Sequence, residues 1–164
     1  MRWLRHLFAP PVRTRFEAAC MERIRNAIAE SEKSHGAEIC FAVERALSIA
    51  DLSAQVTPRA RAEIVFGQLR VWDTAGNNGI LIYVLLAEHS IEIIADRDAL
   101  MRIPAEHWKG VCDLVAQGFA AGHHADAVVA AVEGLTPLLV THYPQDSVAI
   151  SEHADELSDR PHIL

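Results

Sequence analysis

The 164-residue chain has few of the residues that define several protein classes. Its three cysteines, Cys20, Cys40 and Cys112, are far apart and form no CxxC pair, which excludes a zinc knuckle and a thioredoxin motif. Each has apolar neighbours, and free cysteines of this kind usually pack as small hydrophobic residues in a reducing compartment. We therefore expect core-packed thiols and a cytoplasmic protein.

Basic residues are also scarce. Lys and Arg number 15 against 22 Asp and Glu, a formal charge of −7. A nucleic-acid binder needs a basic face to displace counterions, so nucleic acid is excluded as a general partner. The longest apolar run, from Gly79 to Ala87, is far shorter than the about 20 residues of a transmembrane helix. The first ten residues lack the apolar centre of a secretory signal. We expect neither a transmembrane helix nor a signal peptide.

Charge and apolar residues are unevenly distributed at the two ends. Residues 1–25 hold six arginines and two glutamates, whereas residues 145–164 hold five acidic residues and one arginine. In residues 1–10, one face of a short helix would carry Trp3, Leu4, Leu7 and Phe8. That face either packs back onto the domain or contacts a bilayer, which leaves a peripheral position at the inner membrane open. We divide the chain into an N-terminal arm (1–13), a domain (14–143) and an acidic, irregular C-terminal tail (144–164).

The domain alternates between helical and strand patterns. Helical spacing predicts helices over 14–34, 58–71, 104–121 and from about 128, the last kinked or restarted by Pro137. Period-two alternation predicts a strand over 37–44. The unbroken apolar run 80–86, followed closely by 91–95, predicts a central strand and its hairpin partner. A loop is expected through Asp51 and Ser53.

Two helices have predicted buried faces. On the 58–71 helix, which Thr57 caps and Pro58 opens, the expected stripe is Ile64, Val65, Leu69 and Trp72. On the following helix, Trp108 and Phe119 are expected in the core.

These elements define a topology. A strand, a crossover helix and a second strand form a right-handed parallel unit. The hairpin adds an antiparallel strand, and helices must cover both faces of the sheet. The sequence therefore predicts an α/β fold, a single three-layer α/β/α sandwich with a small mixed β-sheet.

The same topology gathers polar residues at one end of the sheet. The loop before the central strand and the end of its antiparallel partner lie there, as does the start of the first strand. The residues so placed are Glu38, Asp73, Asn77, Asn78, Asp96, Arg97 and Asp98. Carboxylate and amide oxygens suit Ca²⁺ or Mg²⁺. The alternative is ordinary turn chemistry, since Asp and Asn favour turns and Asp96 can cap one.

Arg97 has two possible roles. It either clamps its acidic neighbours or keeps its planar fork free for an anion. Because three aspartates surround it, Asp73, Asp96 and Asp98, the clamp is favoured.

Other chemical motifs are missing. No Gly-Lys-Ser/Thr follows Gly76 and Gly79, so there is no P-loop, and neither a nucleotide nor an organic cofactor is expected. There is no G-x-S-x-G nucleophile elbow. No His pair has ligand spacing. A covalent nucleophile is therefore not evident.

Several segments resemble the TPM-domain family. They are Glu38-Ile-Cys-Phe-Ala-Val-Glu44, the stretch from Leu69 through Asn77-Asn78-Gly79 to Leu86, Ile91 to Arg97, Trp108 to Gly122, and Asp155 to Pro161. The resemblance covers about residues 13–164 and implies a three-layer α/β/α domain. It is closest to the short soluble bacterial members. Two departures are Asn77-Asn78-Gly79 where the wider family often has Asp-Asn-Gly, and Ala95-Asp-Arg-Asp-Ala99 where it tends to have a glycine-rich stretch.

The resemblance implies two functions. Some members bind divalent cations at acidic loops, which suggests an accessory module that binds a cation or acidic ligand through Asp73, Asn77, Asn78, Asp96 and Asp98 and docks an unknown protein partner. Plant thylakoid members, linked to photosystem repair, are ascribed acid phosphatase activity. The alternative is therefore a metal-assisted phosphatase acting on phosphate monoesters. Its catalytic residues would be Asp73, Asp96 and Arg97, with Asp98 as a further cation ligand.

Overall fold

A computed structural model describes residues 2–145 and 157–164 and arranges them around one four-stranded sheet. The strands are β1 (Glu38–Glu44), β2 (Gly79–Leu85), β3 (Ser90–Ala95) and β4 (His162–Ile163), in the order β3-β2-β1-β4. β1 pairs in parallel with β2 and β4, and β2 pairs antiparallel with β3. The predicted mixed sheet and its hairpin are confirmed.

Helices cover both faces of this sheet. They are α1 (Arg2–Leu7), α2 (Val12–Arg15), α3 (Ala18–Glu32), α4 (Ile49–Ser53), α5 (Pro58–Gln68), α6 (Arg97–Arg102), α7 (Ala105–Ala120) and α8 (His124–His142). The main core lies between the sheet and α3, α7 and α8, and a second core lies under α4 and α5. The structure is the predicted three-layer α/β/α sandwich.

β2 explains its own unbroken apolar sequence. Every residue of this strand is buried. Ile80, Ile82 and Val84 contribute to the main core, whereas Leu81, Tyr83 and Leu85 contribute to the second. A strand covered on both faces gains from apolar residues at every position.

Two predicted boundaries are wrong near the start of the domain. The predicted 14–34 helix is divided, because the backbone is extended at Phe16 and Glu17 and the buried ring of Phe16 anchors that turn in the core. The expected loop through Asp51 and Ser53 is α4. Ser48 starts this helix with a capping box, since its side chain accepts from Asp51 N while the Asp51 carboxylate accepts from Ser48 N.

The predicted stripe of the 58–71 helix is also partly wrong. α5 ends at Gln68 and buries Ala62 and Val65, whereas Ile64 and Trp72 are 44% and 48% exposed. The small side chain of Ala62, fully buried, lets the helix lie close to the sheet. Trp72 instead lies on the surface, with the Arg70 guanidinium 5.9 Å from its ring centroid.

α7 and α8 form most of the helical layer that covers the main core. Phe119 of α7 is buried as predicted, and Trp108 is half-buried and donates from Nε1 to Ile103 O at 3.1 Å. α8 runs without interruption through Pro137, so the expected restart is wrong; its buried residues on both sides of the proline, among them Val132 and Leu139, hold it against the core.

α8 is also long and apolar enough to cross a membrane by length and composition, and 44% of its apolar window is buried inside the fold.

The three cysteines are free thiols, with Cys40 buried and Cys20 and Cys112 partly buried.

The C-terminal tail is not irregular throughout. Residues 157–164 return to the domain, where Leu157 packs on the second core and β4 pairs with Ala42 and Val43 of β1. The other predicted tail residues after Gln145, including Asp146, Glu152, Asp155 and Glu156, lie outside the described residues. A two-residue strand depends on long-range pairing, so no local pattern in the sequence announces it.

Candidate functional site

The loop before β2 is fixed by its own backbone and by a glycine. Thr74 is buried, and its Oγ1 accepts from Asn78 N at 3.1 Å while its carbonyl accepts from Asn77 N at 3.1 Å. Asn77 has a left-handed φ of +48°, which asparagine tolerates well. A Cβ at Gly79 would lie 1.9 Å from Val71 O. Only glycine therefore allows the incoming loop to lie this close to the strand.

The end of β3 lies beside that loop. Asp96 N donates to Gly79 O at 2.9 Å, which continues the hairpin ladder by one bond. Asp96 then caps α6, with its Oδ1 accepting from Arg97 N at 2.7 Å. Its other oxygen, Oδ2, is buried and has no hydrogen-bond partner among the described residues. A buried carboxylate oxygen without a partner is costly, so it is a natural position for a ligand.

These elements enclose a cavity of about 390 Å³. It is lined by Asn77, Asp96, Arg97, Asp98 and Met101. Four of these five residues are ones that the sequence placed together. We call this space the β-edge cavity.

The guanidinium of Arg97 is uncommitted. Arg97 is exposed and its side chain makes no ion pair or hydrogen bond with any residue that the structure describes. The favoured acidic clamp is therefore wrong. Arg70 pairs with Asp73 and Arg102 with Asp98, whereas Arg97 pairs with none of the three aspartates.

Asp98 lines the β-edge cavity but is occupied. Its Oδ2 accepts from Tyr143 Oη at 2.8 Å and from Arg102 Nε at 2.6 Å. The Tyr143 hydroxyl and then the Arg102 guanidinium hold the pKa of the Asp98 carboxyl below its ordinary value. Burial, and then the same hydrogen bond with Asp98, raise the pKa of Tyr143. Asp98 is thus a charged group already matched by its partners.

Three of the predicted site residues lie outside the cavity. The Asp73 carboxylate is exposed and pairs with Arg70. Asn78 is buried, and its amide nitrogen donates to Gly36 O at 2.5 Å. Glu38 lies at the same end of the sheet but lines a separate cavity of about 260 Å³ and accepts from Leu157 N at 3.2 Å.

The arrangement limits cation binding by protein groups alone. Within residues 2–145 and 157–164, no group of three or more His, Cys, Asp and Glu side chains could hold a metal ion. Asp96 Oδ2 nevertheless fits one coordination position of a hard cation, and the Asn77 amide offers a neutral oxygen in the same cavity. Further ligands would have to come from water or from a bound molecule.

Sequence reasoning missed a buried hydroxyl–imidazole chain. Ser31 Oγ lies 2.9 Å from His35 Nε2 and 2.7 Å from Thr136 Oγ1, and Ser31 and Thr136 line a cavity of about 410 Å³ between α3 and α8. Burial lowers the pKa of His35 to about 4, so the ring is neutral. The i, i+4 spacing of Ser31 and His35 was the available signal.

Tautomer chemistry excludes a nucleophilic serine here. Ala37 N donates to His35 Nδ1 at 3.2 Å, so Nδ1 holds the lone pair and Nε2 carries the proton. Nε2 therefore donates to Ser31 Oγ and is not a base for it. Thr136 Oγ1 in turn donates to Val132 O at 2.8 Å, which completes a structural chain of hydrogen bonds.

A second missed cluster is an ion pair at the opposite end of β1. Arg61 makes a bidentate contact with Glu44, at 2.8 and 3.0 Å, and Tyr83 Oη donates to Glu44 Oε2 at 2.6 Å. Glu44 and Tyr83 are buried. All the charges and the hydroxyl are satisfied, so this cluster fastens α5 to the sheet.

Comparison with solved structures identifies the fold in other bacteria. The NMR structure of the BA42 protein from the psychrophilic bacterium Bizionia argentinensis superposes with a TM-score of 0.77 at 23% identity, over 91% of this chain and 95% of that one. The N-terminal domain of the cg2496 protein from Corynebacterium glutamicum gives a TM-score of 0.57 at 14% identity, over 84% and 83% of the two chains.

Sequence comparison gives the family. No curated protein matches the chain. A family model described as the TPM domain matches residues 15–137, which include α3, the sheet through β3 and the whole β-edge cavity. The chain belongs to the TPM-domain family.

Proposed function

We propose that this TPM-domain chain is an accessory binding module whose β-edge cavity takes an acidic ligand together with a divalent cation, Ca²⁺ or Mg²⁺. One observation carries the proposal: the buried, unpartnered Oδ2 of Asp96 and the free guanidinium of Arg97 line the same cavity. An anionic oxygen and a cationic group, neither with a partner among the described residues, are complementary to a cation and an anion bound side by side.

The cation would be held weakly by the protein alone. Asp96 and Asn77 offer hard oxygen atoms, and Asp98 is already paired with Arg102 and Tyr143. Mg²⁺ in proteins commonly keeps several waters and binds through one or two carboxylates plus ligand phosphates. The acidic ligand would therefore supply coordinating oxygens to the cation, and the cation would supply positive charge to the acidic ligand.

Arg97 supplies the second half of the recognition. Its planar fork matches a phosphate or carboxylate in a bidentate manner. The overall charge of −7 opposes anion binding, and a cation on Asp96 offsets that repulsion locally. α6 also exposes two apolar residues, Leu100 and Met101, of which Met101 lines the cavity. They favour a protein partner that presents the acidic group.

Calorimetry of inorganic phosphate tests the proposal. We expect measurable binding with saturating Mg²⁺ or Ca²⁺ and none without a divalent ion. Asp96→Asn should abolish the cation-dependent binding, and Arg97→Lys should weaken it by roughly tenfold through loss of the planar fork. Asp73→Asn is the matched control, because that carboxylate is outside the cavity and paired with Arg70. Equal binding in metal-free and metal-loaded protein would contradict the cation model.

The second candidate is a metal-assisted acid phosphatase that uses Asp73, Asp96 and Arg97. The structure supports this function less well than the binding module. Of its two carboxylates, only Asp96 lines the cavity with an oxygen that has no partner among the described residues. Release of phosphate from a generic monoester, measured with and without Mg²⁺ or Ca²⁺, separates the two functions. Turnover that Asp96→Asn abolishes would establish the phosphatase; binding without turnover would establish the module.

A further inference from the structure

Five large apolar side chains form one exposed surface at the N-terminal end. Trp3, Leu4, Leu7, Phe8 and Ile49 are between 48% and 75% exposed. All except Phe8 line one cleft of about 310 Å³ between α1 and α4, whereas Phe8, directly after α1, lines a second cavity with Arg5 and Glu88. We call these five residues the α1 patch. An exposed apolar cluster of this kind usually marks a contact surface.

The patch is held outward by polar contacts beneath it. His6 of α1 is buried, with Nδ1 accepting from Leu47 N at 3.0 Å and Nε2 bonded to Glu88 Oε1 at 2.9 Å. Arg2 Nε donates to the same Glu88 oxygen at 2.7 Å. These bonds occupy the inner side of α1. Turning the helix to bury its apolar side would break all of them.

Arginines lie close to the patch along the chain: Arg5 lines a cavity with Phe8, and Arg13 and Arg15 lie in α2, the next helix. Arg5, Arg13 and Arg15 are exposed and make no ion pair or side-chain hydrogen bond within the described parts of the chain. The nearby carboxylate of Glu88 is already engaged by Arg2 and His6. Residues 2–17, with four arginines and the exposed Glu17, are therefore cationic, although the whole chain carries −7.

We infer that the α1 patch docks the domain on an anionic lipid bilayer. Tryptophan, phenylalanine and leucine beside unpaired arginines are the chemistry of an interfacial anchor: the apolar groups enter the headgroup boundary and the arginines meet lipid phosphates. A symmetric contact between two copies would instead place the same unpaired arginines near each other, which like-charge repulsion disfavours.

Vesicle cosedimentation of the full chain tests this inference. We expect binding to vesicles of phosphatidylcholine with phosphatidylglycerol at 3:1, and at least tenfold weaker binding to pure phosphatidylcholine. Arg13→Gln with Arg15→Gln should weaken binding about fivefold per arginine and reduce its salt dependence. Leu7→Ser with Phe8→Ser should weaken it tenfold or more, through lost apolar burial. All four side chains are exposed, so circular dichroism should show an unchanged fold.

Controls separate this surface from others. Ile64→Ser with Leu114→Ser removes exposed apolar groups elsewhere and should leave vesicle binding unchanged. Arg97→Lys should also leave it unchanged, which distinguishes the patch from the β-edge cavity. Absence of binding to anionic vesicles, or equal binding to neutral ones, would overturn the inference. So would concentration-dependent dimerisation that Leu7→Ser with Phe8→Ser abolishes, since a second copy would then cover the patch.

Discussion

Arginines three or four residues away determine which aspartates at the sheet edge form ion pairs and which do not. Arg70 pairs with Asp73 and Arg102 pairs with Asp98, both across one helical or turn spacing. Asp96 has only the adjacent Arg97 within four residues of it, and that neighbour contributes its backbone N–H. This spacing of arginines along the chain explains why Asp96 Oδ2 and the Arg97 guanidinium have no partner among the described residues.

Freeing a second carboxylate should therefore strengthen cation binding. In Arg102→Gln, Asp98 keeps its Tyr143 hydrogen bond but loses its charged partner. We expect a severalfold tighter Mg²⁺ site by calorimetry in the presence of phosphate. Arg70→Gln frees Asp73, which does not line the cavity, and should change nothing. An equal gain in both variants would indicate a non-specific charge effect.

His35 should make the protein sensitive to mild acid. Its pKa is about 4 in the folded state, because burial disfavours the charged ring, against an ordinary value of 6.5. Between these values the unfolded chain binds more protons, so the free energy of unfolding falls as the pH falls. The slope is at most about 1.4 kcal/mol per pH unit.

Urea denaturation from pH 7 to pH 4 measures that slope. His35→Gln preserves an acceptor for Ala37 N and cannot titrate, so its slope should be shallower than that of the wild type. His107→Gln, at an exposed position, is the control. Identical slopes for the wild type and His35→Gln would contradict a neutral buried ring.

At the scale of elements, α7 is stabilised partly by a single tryptophan. Trp108 packs against the main core and donates to Ile103 O, which joins α7 to the end of α6. Trp108→Ala should cost about 3 kcal/mol, at the low end for large aromatic truncations because the ring is half-buried. Trp108→Phe should cost about 1 kcal/mol for the lost hydrogen bond.

Urea midpoints of these variants check the prediction. Trp72→Ala is a matched control, since Trp72 is 48% exposed, and surface changes usually stay within about 0.5 kcal/mol. A midpoint unchanged by Trp108→Ala would show that this side chain contributes nothing to the core.

The elements that sequence patterns predicted are those with strong local signals. Thr57-Pro58 marks the start of α5, and the apolar run of β2 identifies a strand covered on both faces. The Ser48–Asp51 capping box was visible in the sequence and overlooked. β4 was not predictable, because two residues gain strand geometry only by pairing with Ala42 and Val43.

The candidate site was likewise predictable only in part. Topology alone correctly gathered Asn77, Asp96, Arg97 and Asp98 at one cavity. It could not show which carboxylates were already paired, since that depends on arginine side chains and on Tyr143, which is distant in sequence. It also placed Glu38 with this group, whereas Glu38 lines a separate cavity and accepts from Leu157 N of the returning C-terminal segment.

At the scale of the molecule, a half-buried carboxyl lies where that C-terminal segment meets the domain. Glu32 at the end of α3 accepts from Ile39 N at 2.6 Å and lines one cavity together with Asp159. Burial, and secondarily the neighbouring acids, raise the pKa of Glu32 well above its ordinary value. The folded chain therefore keeps a proton there that the unfolded chain loses above about pH 4.5, so stability falls as the pH rises.

Glu32→Gln should remove this loss of stability at alkaline pH. Glutamine keeps an acceptor for Ile39 N and supplies a donor to Asp159 without a proton to lose. We expect the variant to be more stable than the wild type at pH 8 in urea denaturation, with a difference that shrinks towards pH 5. Glu32→Ala, which loses the acceptor for Ile39 N, should be less stable than Glu32→Gln throughout. Lower stability of Glu32→Gln at pH 8 would mean that Glu32 is ionised in the folded protein.

Amide chemical-shift mapping by NMR tests the central claim, the β-edge cavity, most directly. Uniformly ¹⁵N-labelled protein would be titrated with Mg²⁺, with phosphate, and with both. We expect the largest shifts at Asn77, Asp96, Arg97, Asp98 and Met101, strong only when both are present and absent from Asp96→Asn. Shifts of equal size with phosphate alone, or shifts centred elsewhere in the sheet, would contradict a joint site for a cation and an acidic ligand.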